Sequence, residues 1–373
     1  MKKFLTRIVT VVVVFMLLVG VVYFIYPLVK QKEPEYFNIV DIESPVKETP
    51  KDTRPYEEIL AELEEKLKNA THVIELPQDI VVDVFIFMGQ SNMSGNGGNP
   101  EEAPEVTEGA GYEFRVISDP TKLYSIVEPF GFYENKPLGI SDGTAKRGSL
   151  VSAFVNKYYE HTNVPVVAVS CSQGATNTAY WTNPGAMGDA VNRLTSTVDW
   201  LNQNGYEVRH KYMVWLQGES DAIFGFSQAM YATNMDIIVN SMIAYGVEKC
   251  FMIRIGRSRS NPVFCDEIQK VQTEICKNDP RFMMASTMLG GFDVSYMIDE
   301  WHYDQRALNM VGEDAAKNIS YYVNTGREPS MYDYKYDNEY VPIVLTTQAL
   351  PAESTEEKEQ EVKTEEAENE GEE

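Results

Sequence analysis

The chain has 373 residues, 43% of them hydrophobic and 24% charged, a globular composition that excludes collagen, a wholly disordered chain and a polytopic membrane protein. Its 32 Lys and Arg against 56 Asp and Glu leave a formal charge of −24 with no basic cluster, which argues against a nucleic-acid partner held through its phosphates.

The first element is an uncharged, mostly apolar run of 22 residues at 8–29, preceded by Lys2, Lys3 and Arg7. That length matches the ~20 residues a helix needs to cross a bilayer. The run ends in bulky Tyr23, Phe24, Ile25, Tyr26 and Pro27 rather than in a small-residue cleavage site. Residues 1–30 therefore read as an uncleaved single-pass membrane anchor, with the basic end inside the cell and the remainder outside; a cleaved segment would make the protein secreted instead. Residues 31–78 read as a stalk, mixed in Pro, Glu, Lys and Asp, with a short charged helix over 55–69 anchored by Ile59, Leu60, Leu63 and Leu67.

From 79 to 325, apolar runs of strand length alternate with helical patterns. Strands are expected at 80–88, 165–170, 211–216, 249–255 and 282–288, each nearly continuous in apolar residues, as in strands covered on both faces. Ser227 caps an expected helix whose Tyr231, Met235, Ile238, Met242 and Tyr245 recur at helical spacing before Gly246. Asn261-Pro262 opens another, carrying Phe264, Ile268, Val271 and Ile275. The pattern predicts an α/β fold, a three-layer α/β/α sandwich around a mostly parallel five-stranded sheet of flavodoxin-like type. The stretch 96–147 reads as long and irregular, a shaper of the pocket with no residue assigned. Residues 326–373 read as an acidic, largely disordered tail: 351–373 alone hold eleven Glu and two Lys. Cys171, Cys250, Cys265 and Cys276 form no CxxC pair and read as buried thiols.

Sheets of this kind place their sites at the carboxyl ends of the strands. The first strand runs into Gly89-Gln90-Ser91-Asn92-Met93, which presents a serine one tight turn beyond a buried strand. A plain turn would use the same residue types. The second runs into Gln173-Gly174-Ala175-Thr176 with Trp181 close behind, and the third into Gln217-Gly218-Glu219-Ser220-Asp221. Beyond the last strand lies Asp299-Glu300-Trp301-His302, where the aspartate can reach the histidine ring within one turn and steady its protonated form. The other three histidines, His72, His161 and His210, lie in stalk, helix-end and pre-strand contexts, and no HxH or HExxH spacing suggests a metal site.

These four segments, in this order, resemble the SGNH-hydrolase superfamily, and within it the sialate O-acetylesterase-like carbohydrate esterases. The stretches GQSNM at 89–93, GATNTAYW at 174–181, QGESD at 217–221 and DxxH at 299–302 carry the likeness, which spans the whole 79–325 body. The resemblance implies a serine esterase that hydrolyses O-acetyl esters on carbohydrates without a cofactor. It implies Ser91 as nucleophile, His302 as general base and Asp299 as its orienter, with the N–H groups of Ser91 and Gly174 and the side chain of Gln217 as oxyanion donors. Gln90, Asn92, Glu219 and Trp181 are expected beside the substrate. One departure is Ala175, where the family pattern has a second glycine; were that position to require positive φ, alanine would cost ~1 kcal/mol. The rivals are an esterase on non-sugar acyl esters and a catalytically silent glycan-binding surface module using Trp181 and Trp301 as platforms. Oligomeric state has no signature in the sequence.

Overall fold

The computed structural model describes residues 56–74 and 80–337; the apolar run at 8–29 and the Glu-rich end lie outside them. Among the described residues no helix is long and apolar enough to cross a membrane.

The charged helix α1 (Tyr56–Ala70) buries Leu63 and Leu67 and leads into a two-residue strand, β1 (Val73–Ile74). Strand β2 (Val81–Gly89) is followed by the one-turn helix α2 (Ser91–Ser94) and by a hairpin of β3 (Gly111–Arg115) and β4 (Asp119–Ser125). Helix α3 (Val151–Thr162), β5 (Val166–Ser172), the short α4 (Thr178–Trp181), the long α5 (Pro184–Gln203) and β6 (Glu207–Leu216) come next. The chain continues through α6 (Glu219–Ile223), α7 (Gln228–Ile243), β7 (Lys249–Ile253), α8 (Asp266–Asn278), β8 (Phe282–Ser286) and α9 (Gln305–Thr325).

The strands form one sheet in the order β1-β4-β3-β5-β2-β6-β7-β8. The five expected strands form a consecutive parallel run, β5-β2-β6-β7-β8, that ends at one edge, so the expected five-stranded sheet is corrected to eight. The three additions share one edge: β3 runs parallel to β5, while β4 and β1 join antiparallel. They escaped the hydrophobic pattern because β4 is largely polar and half-covered, and because β3 buries a charged pair, Glu113 and Arg115, at 2.8 Å. Val73 and Ile74, inside the segment read as stalk, pair with Tyr124 and Leu123 of β4.

In β2, Val82 through Met88 are all buried, with α3 and α9 packed together over one face and α5, α7 and α8 over the other. That burial, about 1.5–3 kcal/mol for each large apolar side chain, is what selects continuous apolar runs at the centre. Asp83 is the exception, a buried carboxylate that accepts from Arg209 Nε at 3.0 Å and from the Tyr158 hydroxyl at 2.6 Å. Ser227 caps α7 as expected, accepting from the Met230 N–H. Helix α8 begins at Asp266 rather than at Pro262: residues 262–265 form turns, and Phe264 is left exposed. All four cysteines are free and buried, and burial pushes the Cys171 thiol up to about 12. Beyond α9, Tyr332 is buried and Asp333 takes a bidentate grip from the Arg254 guanidinium, 2.6 Å at each oxygen, so the chain stays on the body through the start of the expected tail.

Candidate active site

Strand β2 is the topological switch: later strands are added to one side of it as β5 and to the other as β6. The carboxyl ends of these three strands surround the turn that carries Ser91. At Gly89, φ is +148°, and a Cβ there would lie 2.0 Å from the Leu216 carbonyl oxygen, so only glycine lets β2 leave the sheet this close to β6. The Gln90 N–H donates to that same oxygen at 3.0 Å, and the Gln173 N–H donates to Gly89 O at 3.0 Å. Ser91 is then the first residue of α2, where its backbone N–H has no partner within the helix.

The Asp299–His302 segment reaches this turn from the far side of the sheet. Tyr303 is its anchor: its hydroxyl donates to Leu289 O and accepts from the Arg257 N–H, both at 2.9 Å. The Asp299 carboxylate accepts from His302 Nδ1 at 2.7 Å and from the N–H groups of Trp301 and His302 at 2.8 Å. Burial works to raise the Asp299 carboxyl, but these three donors and the His302 charge outweigh it and hold the group below its ordinary range.

Asn92 joins the two segments. Its side chain donates to Trp301 O at 3.1 Å and accepts from the Tyr303 N–H at 3.3 Å, so the residue after Ser91 grips the backbone on both sides of His302. The same amide donates to Glu219 at 2.7 Å. Among the described residues neither the Ser91 hydroxyl nor His302 Nε2 has a hydrogen-bond partner. Trp301, half-buried beside His302, meets Phe264 edge to face at 5.4 Å.

A family model described as carbohydrate esterase, sialic acid-specific acetylesterase, matches residues 81–321. The chain belongs to this family. It is accordingly a carboxylic ester hydrolase of the carbohydrate acetylesterase class. Among solved structures, a protein of Arabidopsis thaliana is 19% identical with a TM-score of 0.45, over 65% of this chain and 97% of its own. The psychrotrophic esterase EstA of a Pseudoalteromonas species is 15% identical with a TM-score of 0.37, over 65% of this chain and 100% of its own. A carbohydrate acetylesterase of Xanthomonas citri is 14% identical with a TM-score of 0.41, over 64% of this chain and 56% of its own. A search of curated proteins found no match.

Several residues expected to touch substrate in this carbohydrate esterase serve the scaffold instead. Trp181 is fully buried, donates from its indole N–H to Thr176 Oγ1 at 3.0 Å and packs edge to face on Trp215, so it is no platform. Gln217 is also fully buried: its Nε2 lies 3.1 Å from Gln90 Oε1, 3.0 Å from Thr176 O and 2.5 Å from the Asp221 carboxylate. An amide has two hydrogens, and both are used here, so the expected role of Gln217 as an oxyanion donor is corrected to that of a strut between β6, the Gly174 loop and α6. Gln90 points into the same knot, accepting from Gln217 and, at longer range, from the N–H groups of Gly218 and Ser220. Glu219 sits behind Asn92, buried with one oxygen unpartnered; burial raises its carboxyl, while the Asn92 bond and the His302 charge pull it down.

Gly174 lies beside Ser91: a Cβ on it would come within 3.6 Å of Ser91 Cβ. Ala175 does adopt positive φ, 57°, so the departure from the family glycine carries real backbone strain. Three further residues near this loop lie in the unassigned stretch 96–147, or at its start. Asn96 Nδ2 and Asp142 Oδ1 would each be 3.1 Å from a Cβ on Gly174, and Asp142 accepts the Gly174 N–H at 2.8 Å. Lys146 is buried and donates to the hydroxyls of Ser170 and Ser172, and burial lowers its ammonium. No periodicity marks these positions; Asn96 is held locally, its N–H donating to Ser91 O at 3.0 Å, whereas Asp142 and Lys146 reach the residues around the β5 end only through the tertiary fold.

Proposed function

We propose that this carbohydrate esterase removes O-acetyl groups from sugars with Ser91 as nucleophile, His302 as general base and then acid, and Asp299 as the residue that orients it. The observation that supports the reading is the Asn92 grip on the Trp301 carbonyl and the Tyr303 N–H, which ties the segment carrying the Asp299–His302 pair to the residue after Ser91. His302 Nε2 accepts the Ser91 proton as Oγ attacks the acetyl carbonyl carbon, and the tetrahedral adduct collapses with the sugar oxygen taking that proton as it leaves. Water then enters, gives a proton to His302 as its oxygen attacks the acyl carbon, and the C–Oγ bond breaks to release acetate while His302 returns that proton to Ser91 Oγ. The N–H groups of Ser91 and Gly174 are the donors for the oxyanion, and the pair Trp301 and Phe264 offers an apolar ring surface to the sugar. The acidic body and the Asp142 carboxylate beside Gly174 favour neutral acetylated sugars over anionic sialic acids. The apolar run at 8–29 is proposed to tether the enzyme to the outer face of the cell membrane.

The test is acetate release from a panel of O-acetylated neutral sugars and sialic acids, by the wild type and by Ser91→Ala, alongside labelling with a serine-reactive phosphonate. Release by the wild type alone, with label on Ser91, is expected. Equal release by both proteins would refute the mechanism.

A further inference from the structure

The Gly174 N–H, assigned above to the oxyanion, is occupied by a carboxylate of the chain itself. Asp142 Oδ1 accepts it at 2.8 Å, while Asp142 Oδ2 is buried with no hydrogen-bond partner. Neither oxygen belongs to an ion pair among the described residues; Lys146, a cation that feels its charge, donates to the hydroxyls of Ser170 and Ser172 and not to Asp142. A part-buried carboxylate with a single backbone donor and its second oxygen enclosed without a partner is poorly satisfied.

Its position is nevertheless built. Asn135 Oδ1 accepts from the N–H groups of Asp142 and Gly143, both at 2.9 Å, and from the Ser141 hydroxyl. The Ser141 N–H donates to Gln173 Oε1 at 2.8 Å, tying the turn to the residue just before Gly174. The backbone is pinned, so any displacement of Asp142 is confined to its side chain.

We propose that Asp142 is a specificity-determining residue of the acetylesterase, one that guards the Gly174 N–H and yields it to esters whose neighbouring hydroxyl can satisfy the displaced carboxylate. The proposal rests on the reading of Ser91 and Gly174 given above. An acetyl carbonyl oxygen entering beside Ser91 competes with Oδ1 for the same donor. A monoacetylated sugar carries an adjacent hydroxyl that donates to the carboxylate as it comes away, so one charge-assisted hydrogen bond replaces another. An aryl acetate has no such hydroxyl and leaves the carboxylate with both oxygens unpartnered. The guard thus selects against simple esters by withholding an oxyanion donor.

The experiment uses the full chain and compares p-nitrophenyl acetate with a mono-O-acetyl methyl glycoside bearing a free vicinal hydroxyl, for wild type, Asp142→Ala and Asp142→Asn. Rates are normalised to sites titrated by the serine-reactive phosphonate. Asp142→Ala is expected to raise kcat/KM on the aryl ester roughly tenfold or more and to lower it on the sugar, a collapse of the ratio by about a hundredfold. Asp142→Asn keeps the shape and a neutral acceptor, so its ratio falls between, which guards against a folding artefact in the alanine variant. An unchanged ratio, or an equal loss on both substrates in both variants, would overturn the proposal and reduce Asp142 to a loop residue. Wild type left unlabelled at Ser91 would instead overturn the underlying assignment of the nucleophile, and that outcome is distinguishable from the first.

Discussion

Removing the Asn92 side chain separates the scaffold from the chemistry more cleanly than any other single change at the site. Asn92→Ala deletes a hydrogen bond to the Glu219 carboxylate at 2.7 Å and two to the backbone around His302, at 3.1 and 3.3 Å. The first is charge-assisted, worth roughly 1.5–3 kcal/mol, and the others about 1 kcal/mol each at most. Glu219 is also left buried with both oxygens unpartnered, since Oε2 already lacks a donor. A net loss of about 3 kcal/mol follows, which for a body of this size lowers Tm by about 6–12 °C. Activity falls for a different reason. With its grip gone, the His302 loop is free to move by about 1 Å, and displacement on that scale costs about a hundredfold in kcat/KM. Unfolding in urea gives the first quantity, and acetate release per phosphonate-titrated site gives the second. The double variant Asn92→Ala with Glu219→Gln removes the stranded charge, so it should recover about 1–2 kcal/mol of stability while leaving turnover low. Loss of stability with kcat/KM kept within twofold of wild type would refute the positioning argument, because the contacts would then hold the fold together without placing the histidine.

Three other outcomes are expected. Ala175→Gly relieves a residue held at φ 57° and should raise stability by up to about 1 kcal/mol in urea, with kcat unchanged or modestly higher; a destabilised variant would contradict the strain. Asp299→Asn removes the acceptor that orients His302, so kcat/KM should drop by roughly 10²–10⁴, while Asp299→Ala should be no better; a wild-type rate in either would exclude the pair. Asp314, on α9 and bonded to the Ser286 hydroxyl at 2.6 Å, has its carboxyl pushed up to about 6 by burial. The folded state therefore binds this proton more tightly than the unfolded chain, so its contribution is fully present below about pH 4 and is lost as pH rises through about 6. Asp314→Asn should cancel about 1–3 kcal/mol of that loss. The comparison to make is the change in urea midpoint between pH 4 and pH 7 in the two proteins, and equal changes would rule the group out.

The sequence made the central sheet legible because each of its strands is an apolar run of strand length flanked by helical periodicity, and such a run can be buried on both faces only beneath helices. The Asp299–His302 pair was legible for an equally local reason: three residues of turn are enough to bring a carboxylate to an imidazole, whatever the rest of the chain does. The edge hairpin was not, since Glu113, Arg115 and the polar face of β4 break the apolar pattern that identified the others. Nor was the fate of Gln217, whose place in a motif says nothing about how many acceptors converge on its amide.

Taken alone, the order of residues determined the class of fold, the four strand-end segments and the residue types available for acyl transfer, all of which depend on neighbours within a few positions. Tertiary structure decided which of those groups meet. Asn92 reaches Trp301 and Tyr303 across more than 200 positions, and Asp142 covers Gly174 from a stretch without periodicity. Contacts of that range are set by strand register and loop closure in the assembled sheet, so they appear only once the core has packed.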